Sequence, residues 1–292
     1  MHYTGNIIRP PHEARNVLLQ VTVGCSHNRC TFCNIYRDVG FRMSPMREIE
    51  EDLAEVRDAY PECPRVFLLN GDAFVMSHDK LRTIALKIRE YLPNCRIISA
   101  YAGISNIKNK TVEQLADLRA LGVTKLTIGV ETGDDDVLLR VNKGYTARDI
   151  VEQCRKLDEA GMLYSIIYLG ALAGHGGGEK NAYESAKVFN QIHPTHIGAT
   201  SLTLLPGSEL YEDAMAGRFR EAGELERAKE LLTLVSNLDV ETFFAANHVS
   251  NAVVVKGRLP DDKEKMAGMI REYIDHYDED TLLHRRKNLR SL

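Results

Sequence analysis

The chain has 292 residues, of which 44% are hydrophobic and 27% are charged, a composition typical of a soluble folded protein. No apolar stretch reaches the roughly 20 residues that span a bilayer, and the polar N-terminal region, which contains Pro10 and Pro11, excludes a signal peptide. The net charge of −4 gives no overall attraction to nucleic acid. We therefore expect a cytoplasmic protein with neither membrane nor nucleic-acid partners.

Short apolar runs separated by helical patterns predict buried strands. The six runs are Val17–Val23, Arg65–Asn70, Arg96–Ala102, Lys125–Glu131, Tyr164–Gly170 and His196–Leu205. Alternation of near-continuous apolar strands with helices predicts a parallel sheet covered by helices. In folds of this kind the reactive residues lie at the carboxyl ends of the strands.

Helix start signals accompany three of the helical patterns. Ser44 followed by Pro45 predicts an N-cap and a first helical residue, and Ser77 predicts a second cap. Thr111 and Gln114 form a capping-box pattern. These signals place a helix after each of the first three predicted strands.

The strand–helix pattern weakens after Leu205, where charged helical stretches and a helix from Pro260 to about His276 follow. We therefore predict a core over residues 1–215 with a short N-terminal arm. Residues 216–292 form a C-terminal extension that packs on the core and does not fold independently. The predicted fold class is α/β, a partial (β/α)6 barrel that resembles a TIM barrel, with a C-terminal α/β extension.

Three of the six cysteines, Cys25, Cys30 and Cys33, lie in one loop directly after the first predicted strand. Three thiolates so close together predict a metal centre. Thiolate-bound iron–sulfur clusters usually take four protein ligands, so three leave an open position for a cofactor or substrate, as catalytic metal sites do. Structural zinc with His27 as the fourth ligand is the alternative, although these ligands are very crowded for one tetrahedral site.

The chain resembles the radical S-adenosylmethionine (radical SAM) superfamily over roughly residues 10–215. The usual loop of that family is Cys-x3-Cys-x2-Cys with an aromatic residue before the third cysteine. Here the loop has one residue more, Cys25-x4-Cys30-x2-Cys33, and Phe32 is the aromatic residue. The resemblance implies that Phe32 helps to hold SAM. The resemblance implies that the cysteines hold a four-iron, four-sulfur (4Fe-4S) cluster and that SAM binds the fourth iron. Reductive cleavage of SAM then gives a 5′-deoxyadenosyl radical, which abstracts hydrogen from a substrate.

The end of the second predicted strand resembles the family's Gly-Gly-Glu segment, which receives the methionine ammonium of SAM. Asn70 stands at the first glycine, Gly71 at the second and Asp72 at the glutamate. Glycine allows close backbone approach, and a carboxylate suits a cationic amine. Asn-Gly-Asp is otherwise an ordinary turn sequence.

Three more residues match positions where relatives contact SAM. The resemblance implies that Glu131 binds the ribose hydroxyls, Lys143 lies near the SAM carboxylate and Leu205 touches the adenine. Ordinary roles are open for each of them. A carboxylate at the start of a helix, a surface lysine and a core leucine would leave the same pattern.

The function implied by the resemblance is that of a radical SAM enzyme acting on an unidentified small molecule, with an electron donor such as flavodoxin or ferredoxin. No protein side chain is needed as a nucleophile or base, because the radical derives from SAM. Porphyrin-type substrates stay conceivable by analogy with anaerobic coproporphyrinogen oxidase relatives. Two alternatives are a non-enzymatic iron–sulfur redox or metal sensor and a zinc-stabilised RNA-binding module, which the acidic net charge disfavours.

Overall fold

The structure, a computed structural model, describes residues 1–288. Its strands are β1 (Val17–Leu19), β2 (Thr22–Val23), β3 (Arg42–Met43), β4 (Arg65–Leu68), β5 (Ile97–Ala102), β6 (Val123–Glu131), β7 (Leu163–Gly170), β8 (His196–Ser201), β9 (Thr242–Ala246) and β10 (Val255–Leu259). Its α-helices are α1 (Met46–Ala59), α2 (His78–Tyr91), α3 (Ile104–Lys108), α4 (Val112–Ala120), α5 (Asp135–Arg140), α6 (Ala147–Glu159), α7 (Gly178–Phe189), α8 (Glu209–Met215), α9 (Glu224–Asn237), α10 (Lys263–His276) and α11 (Glu279–Lys287).

The predicted fold class is confirmed. Eight of these strands belong to one mostly parallel sheet, and helices connect its parallel members. The six predicted strands are present as β1 and β4 to β8, with ends that differ by a few residues. Within residues 1–288, no helix is both long enough and apolar enough to cross a bilayer.

The chain forms two compact units. The first unit contains Met1–Asn28, Ile35–Gly129 and Lys156–Tyr164, and the second contains Arg29–Asn34, Val130–Arg155 and the described part of Ser165–Leu292. The predicted division near residue 215 is a different, sequence-based boundary and stays a prediction.

The first unit is built on parallel strands in the order β1-β4-β5-β6. Leu19, Phe67 and Leu126 are fully buried in these strands, as expected where helices cover a parallel sheet. Helix α1 packs on α2, and α2 packs on α4. A separate two-stranded hairpin pairs Thr22 of β2 with Met43 of β3, so the predicted strand Val17–Val23 is divided in two.

The second unit contains parallel strands β7, β8 and β9, with β10 antiparallel to β9. Helix α9 packs against α7 and α10. Strands β9 and β10 belong to the predicted C-terminal extension but were not predicted as strands. In β10 the residues alternate between buried and exposed, a period of two that is typical of a strand.

Two predicted helix starts are confirmed and one is wrong. Ser77 caps α2, and Thr111 with Gln114 forms a capping box at α4. Ser44 lies one residue before the N-cap of α1, because the bond from its backbone N–H to the Val21 carbonyl, at 3.0 Å, extends the pairing of β2 and β3 to this residue. Pro45 takes the N-cap position instead, and α1 begins at Met46.

Candidate cofactor site

The three clustered cysteines are partly exposed thiols, whereas Cys63, Cys95 and Cys154 are buried. Cys25 belongs to the first unit, and Cys30 and Cys33 belong to the second. Among residues 1–288, no group of three or more His, Cys, Asp and Glu side chains is already arranged as a metal site. The assignment of these cysteines to iron therefore depends on their chemistry and spacing.

In the first unit, Gly71 lies against the start of the cysteine loop. A Cβ atom added at Gly71 would come 2.7 Å from the Tyr36 ring and 3.3 Å from the Cβ of Cys25. Any larger residue would therefore displace either the Tyr36 ring or the cysteine. The absence of a side chain at Gly71 is what allows the β4 end and Cys25 to approach each other.

Asp72 follows Gly71 and is only 4% exposed. One carboxylate oxygen accepts hydrogen bonds from the hydroxyl and the backbone N–H of Ser26, the latter at 3.2 Å, and the other accepts from the Asn106 amide. Because Ser26 directly follows Cys25, these bonds connect the β4 end to the cysteine loop and to α3. Asp72 is thus a buried carboxylate whose two oxygens are held in fixed directions.

Burial raises the pKa of Asp72 to about 6, although the hydrogen bonds from Ser26 and Asn106 and the charge of Lys110 oppose the rise. Lys110 is itself 3% exposed, and burial lowers its pKa to about 8. Its ammonium donates to the carbonyl of Phe74 at 2.8 Å and lies 4.5 Å from the centroid of the Phe74 ring. The first unit therefore places a buried cation near a buried carboxylate, which favours the ionised carboxylate.

In the second unit, the Cys30–Cys33 segment forms a tight turn in which the Cys33 N–H donates to the Cys30 carbonyl at 3.2 Å. Thr31 anchors this turn, because its N–H donates to the Val141 carbonyl at 3.1 Å and its carbonyl accepts from Leu210 at 2.8 Å. Phe32 packs against an apolar cluster of this unit. Phe32 thus holds the turn in the core, which is an alternative to a direct contact with SAM.

Lys143 and Glu131 form an ion pair in the second unit. Their charged atoms lie 3.3 Å apart, and the side chains are 11% and 13% exposed. The Lys143 ammonium also lies 5.8 Å from the Phe32 ring centroid and 5.6 Å from that of Tyr145, within the range of cation–π attraction. Burial lowers the pKa of Lys143, but the electrostatic interactions with Tyr145, Glu131 and Cys30 and the hydrogen bond to Glu131 outweigh it, so the pKa is raised.

Three non-glycine residues at or just after the ends of β4, β6 and β7 have a left-handed backbone. They are Asn70 with φ of 73°, Glu131 with φ of 67° and Ala171 with φ of 64°. Asparagine tolerates this region, whereas glutamate and alanine rarely adopt it. Such conformations persist only where the surroundings enforce them, and they concentrate at functional sites. The side chain of Asn70 is fixed by a 2.8 Å bond to the Thr22 carbonyl.

Leu205 lies in the loop between β8 and α8 and is partly exposed. Its carbonyl accepts the Ser208 N–H at 2.9 Å, and Ser208 caps α8. The neighbouring Leu204, not Leu205, packs against the apolar cluster. Leu205 is therefore not a core residue of that cluster, and its contact with adenine stays a prediction.

Four residues of the site have no role that the sequence alone predicts: Ser26, Asn106, Lys110 and Tyr145. Asn106 follows the end of the third core strand, and a polar residue at such a position is the only signal that the sequence offers for it. The sequence gives no indication that Lys110 is buried, because a single lysine before a capping box is usually a surface residue. Tyr145 contacts Lys143 and donates to the Val130 carbonyl at 3.2 Å, a contact that only the folded chain reveals.

The residues present fit the predicted cofactors by their chemistry. Thiolates are the usual ligands of iron–sulfur clusters, and all three loop cysteines are thiols with some exposure. A buried carboxylate held by donors from two residues, as at Asp72, suits a cationic amine. The Lys143 ammonium, which pairs with the Glu131 carboxylate, is also able to bind a second carboxylate, such as that of SAM.

Comparisons with known proteins agree on one family. A family model described as the Radical SAM superfamily matches residues 19–179, more than half of the chain. The chain is 21% identical over 222 residues to the heme chaperone HemW of Bacillus subtilis, and 20% identical over 194 residues to HemW of Buchnera aphidicola. These alignments cover 74% and 63% of the chain but only 58% and 50% of the relatives. The chain thus spans little more than half the length of the curated relatives it matches.

Solved structures of the same superfamily share the fold. TsrM, a radical SAM methyltransferase from Kitasatospora setae, is 14% identical with a TM-score of 0.59, over 93% of this chain and 61% of TsrM. Coproporphyrinogen III oxidase (HemN) from Escherichia coli is 14% identical with a TM-score of 0.54, over 76% of this chain and 51% of HemN. At these identities the likeness shows the fold alone.

Proposed function

The chain belongs to the radical SAM superfamily, and on that premise we propose that it is an enzyme that cleaves SAM reductively and abstracts hydrogen from a small-molecule substrate. Membership carries the superfamily's cofactors, a 4Fe-4S cluster and SAM. When bound, these cofactors supply a 5′-deoxyadenosyl radical, and the protein contributes binding, orientation and exclusion of water.

The observation that carries the proposal is the triplet Cys25, Cys30 and Cys33 within the matched region. Three thiolates satisfy three irons of a four-iron cluster and leave one iron for a ligand that is not protein. A redox sensor or a structural zinc site has no need of that open position. The fixed orientation of the Cys30–Cys33 turn, held by Thr31, supports a rigid cluster site.

We propose that Asp72 accepts the methionine ammonium of SAM. Its carboxylate is buried and fixed by Ser26 and Asn106, so a cationic group there would gain a strong charge-assisted bond. Burial raises the pKa of Asp72 to about 6, and the bonds from Ser26 and Asn106 and the charge of Lys110 limit that rise, so the carboxylate is largely ionised at neutral pH. Gly71 and Asn70 would present backbone groups beside it, since their conformation brings the backbone close to Cys25.

We propose that Glu131 and Lys143 act as a pair. Glu131 is the acceptor for ribose hydroxyls, and Lys143 binds the SAM carboxylate while it fixes the Glu131 side chain at 3.3 Å. A lysine ammonium has three donors, so its bond to Glu131 does not prevent a bond to a ligand carboxylate. Leu205 is proposed to contact the adenine.

The proposed partners are a small-molecule substrate and a one-electron donor such as flavodoxin or ferredoxin. The donor follows from the chemistry, because reductive cleavage needs an electron that SAM does not supply. The acidic net charge of −4 disfavours nucleic acid as the substrate.

The test is anaerobic reconstitution with iron and sulfide, followed by dithionite and SAM, with product analysis for 5′-deoxyadenosine. We expect deoxyadenosine from the wild type and none from Cys30→Ala. A reducible cluster that yields no deoxyadenosine would favour a sensor, or cleavage of a different SAM bond. Stoichiometric zinc without iron would overturn the proposal.

A second candidate function is heme binding, because both curated relatives are named heme chaperones. A hemin titration that follows the Soret band tests it directly. Saturable binding of one hemin per chain, without deoxyadenosine formation, would favour this candidate. Hemin binding no tighter than to an unrelated protein would exclude it.

A further inference from the structure

A buried carboxylate lies outside the region that the family model matches. Glu230, on α9, is 1% exposed. One of its oxygens accepts hydrogen bonds from the Tyr168 hydroxyl at 2.6 Å and the Asn181 amide at 2.8 Å. The other oxygen accepts the backbone N–H of Ala171 at 2.7 Å. Each Glu230 oxygen is therefore engaged, and the carboxylate has a single orientation.

Ala171 is the residue directly after β7, and its φ of 64° is one that an L-residue rarely adopts. Its N–H is bound by Glu230, and its carbonyl accepts the Gly174 N–H at 3.0 Å. Ala171 is also buried in the apolar cluster of the second unit. Hydrogen bonds at both the N–H and the carbonyl of Ala171 thus hold a backbone conformation that alanine itself disfavours.

Helix α7 packs closely against the carboxylate. A Cβ atom added at Gly178, the first residue of α7, would lie 2.8 Å from Oε2 of Glu230, the oxygen that accepts the Ala171 N–H. Asn181, one turn later on α7, donates both to Glu230 and to the Tyr168 hydroxyl, at 2.8 Å and 2.9 Å. Burial raises the pKa of Glu230, while its three donors and Arg227 act in the opposite direction.

We infer that Glu230 is a positioning residue: its carboxylate clamps the left-handed backbone of Ala171 and thereby fixes the end of β7 where SAM binds. In parallel α/β sheets, ligands bind outside the carboxyl ends of the strands, and β7 ends at Gly170. This inference rests on the proposed function, which makes SAM the ligand there. It assigns to the C-terminal extension a part in SAM binding that the matched core lacks on its own.

The test uses the full chain, reconstituted anaerobically without reductant, and three variants. Glu230→Ala removes the clamp, Glu230→Ala with Ala171→Gly removes both the clamp and the strain, and Lys229→Ala changes the exposed neighbour on α9. The readouts are iron content, SAM affinity by equilibrium dialysis and hydrogen exchange of residues 168–178.

We expect Glu230→Ala to keep its iron, to exchange faster at Ala171 and to bind SAM about tenfold or more weakly, since a bond to a charged group is lost. The added Ala171→Gly change restores most of the affinity, because glycine adopts a positive φ without strain. If Glu230 had a merely structural role, Glu230→Ala would lower the melting temperature, and the added Ala171→Gly change would not restore the SAM affinity. Lys229→Ala should have the iron content, SAM affinity and hydrogen exchange of the wild type.

Unchanged hydrogen exchange at Ala171 in Glu230→Ala, or a loss of SAM affinity that Ala171→Gly does not restore, would overturn the inference. If Glu230→Ala does not fold, Gly178→Ala repeats the test, because the added methyl group crowds the same oxygen. A wild type that holds iron but binds no SAM contradicts the proposed function instead, and hydrogen exchange still decides whether the clamp exists.

Discussion

The ammonium of Lys143 lies 3.3 Å from the carboxylate of Glu131, and both side chains are largely buried. The sequence suggested a separate ligand contact for each residue. In the folded chain they form one nearly neutral unit beside Phe32. The consequence is that a change at either residue removes a charged partner of the other.

The first prediction is a coupling energy for this pair. Lys143→Met should lower the free energy of unfolding by about 1–3 kcal/mol, because it leaves the Glu131 carboxylate buried without its partner. Glu131→Gln should lower the free energy of unfolding much less in the Lys143→Met variant than in the wild type. A double-mutant cycle by urea unfolding measures this difference. Additive effects would mean that the ion pair contributes nothing.

The second prediction uses the left-handed backbone of Glu131, whose φ is 67°. Glu131→Ala and Glu131→Gly both remove the carboxylate, so both should weaken SAM binding to a similar extent. The glycine variant should be more stable than the alanine variant by about 1 kcal/mol, since only alanine is strained at this φ. Thermal unfolding of the two variants gives the comparison. Equal melting temperatures would argue against strain at this position.

The six core strands could be predicted from short apolar runs, because that pattern is local, and they are present as β1 and β4 to β8. The role of the cysteine loop as a cluster site stays a prediction from its spacing. The sequence also placed Asp72 just after the second core strand, because the apolar pattern shows where that strand ends. Asn70, which stands where the family has glycine, keeps the left-handed backbone with φ of 73°, as asparagine is able to do.

The contacts that hold the site were not predictable in the same way. Asn106 and Lys110 are about 35 residues from Asp72 in sequence, and Glu230 is 59 residues from Ala171. A glutamate within a helix pattern gives no sign that it will be buried. Ser44 was assigned to the wrong element for a related reason, because its hairpin partner lies 23 residues earlier. Tertiary hydrogen bonds decided each of these cases.

The third prediction separates cluster cysteines from core cysteines. Cys25→Ala, Cys30→Ala and Cys33→Ala should each reduce bound iron and abolish the visible absorption of the iron–sulfur cluster. Cys154→Ala should keep the iron and lose about 1 kcal/mol of stability, because Cys154 is fully buried on α6. Iron analysis after reconstitution provides the comparison. Loss of iron in Cys154→Ala with an intact fold would contradict the assignment.

The fourth prediction concerns the stability cost of ionised Asp72. Its pKa is raised from 3.8 to about 6, so the folded state favours the protonated form. That contribution to stability is fully present below about pH 4 and is lost as the pH rises through 6. The shift corresponds to about 3 kcal/mol. Asp72→Asn should therefore be more stable than the wild type at pH 8, by up to that amount, and the difference should shrink toward pH 5.

SAM binding should show the opposite pH dependence, because the methionine ammonium needs the ionised carboxylate. In the wild type, SAM affinity should fall as the pH decreases below about 6, and in Asp72→Asn it should be weak at every pH. Equilibrium dialysis between pH 5.5 and 8 measures both proteins. Asp79→Asn, a change at a carboxylate that is 94% exposed, serves as the matched control and should follow the wild type. Full SAM affinity in Asp72→Asn would show that the buried carboxylate only braces the cysteine loop through Ser26.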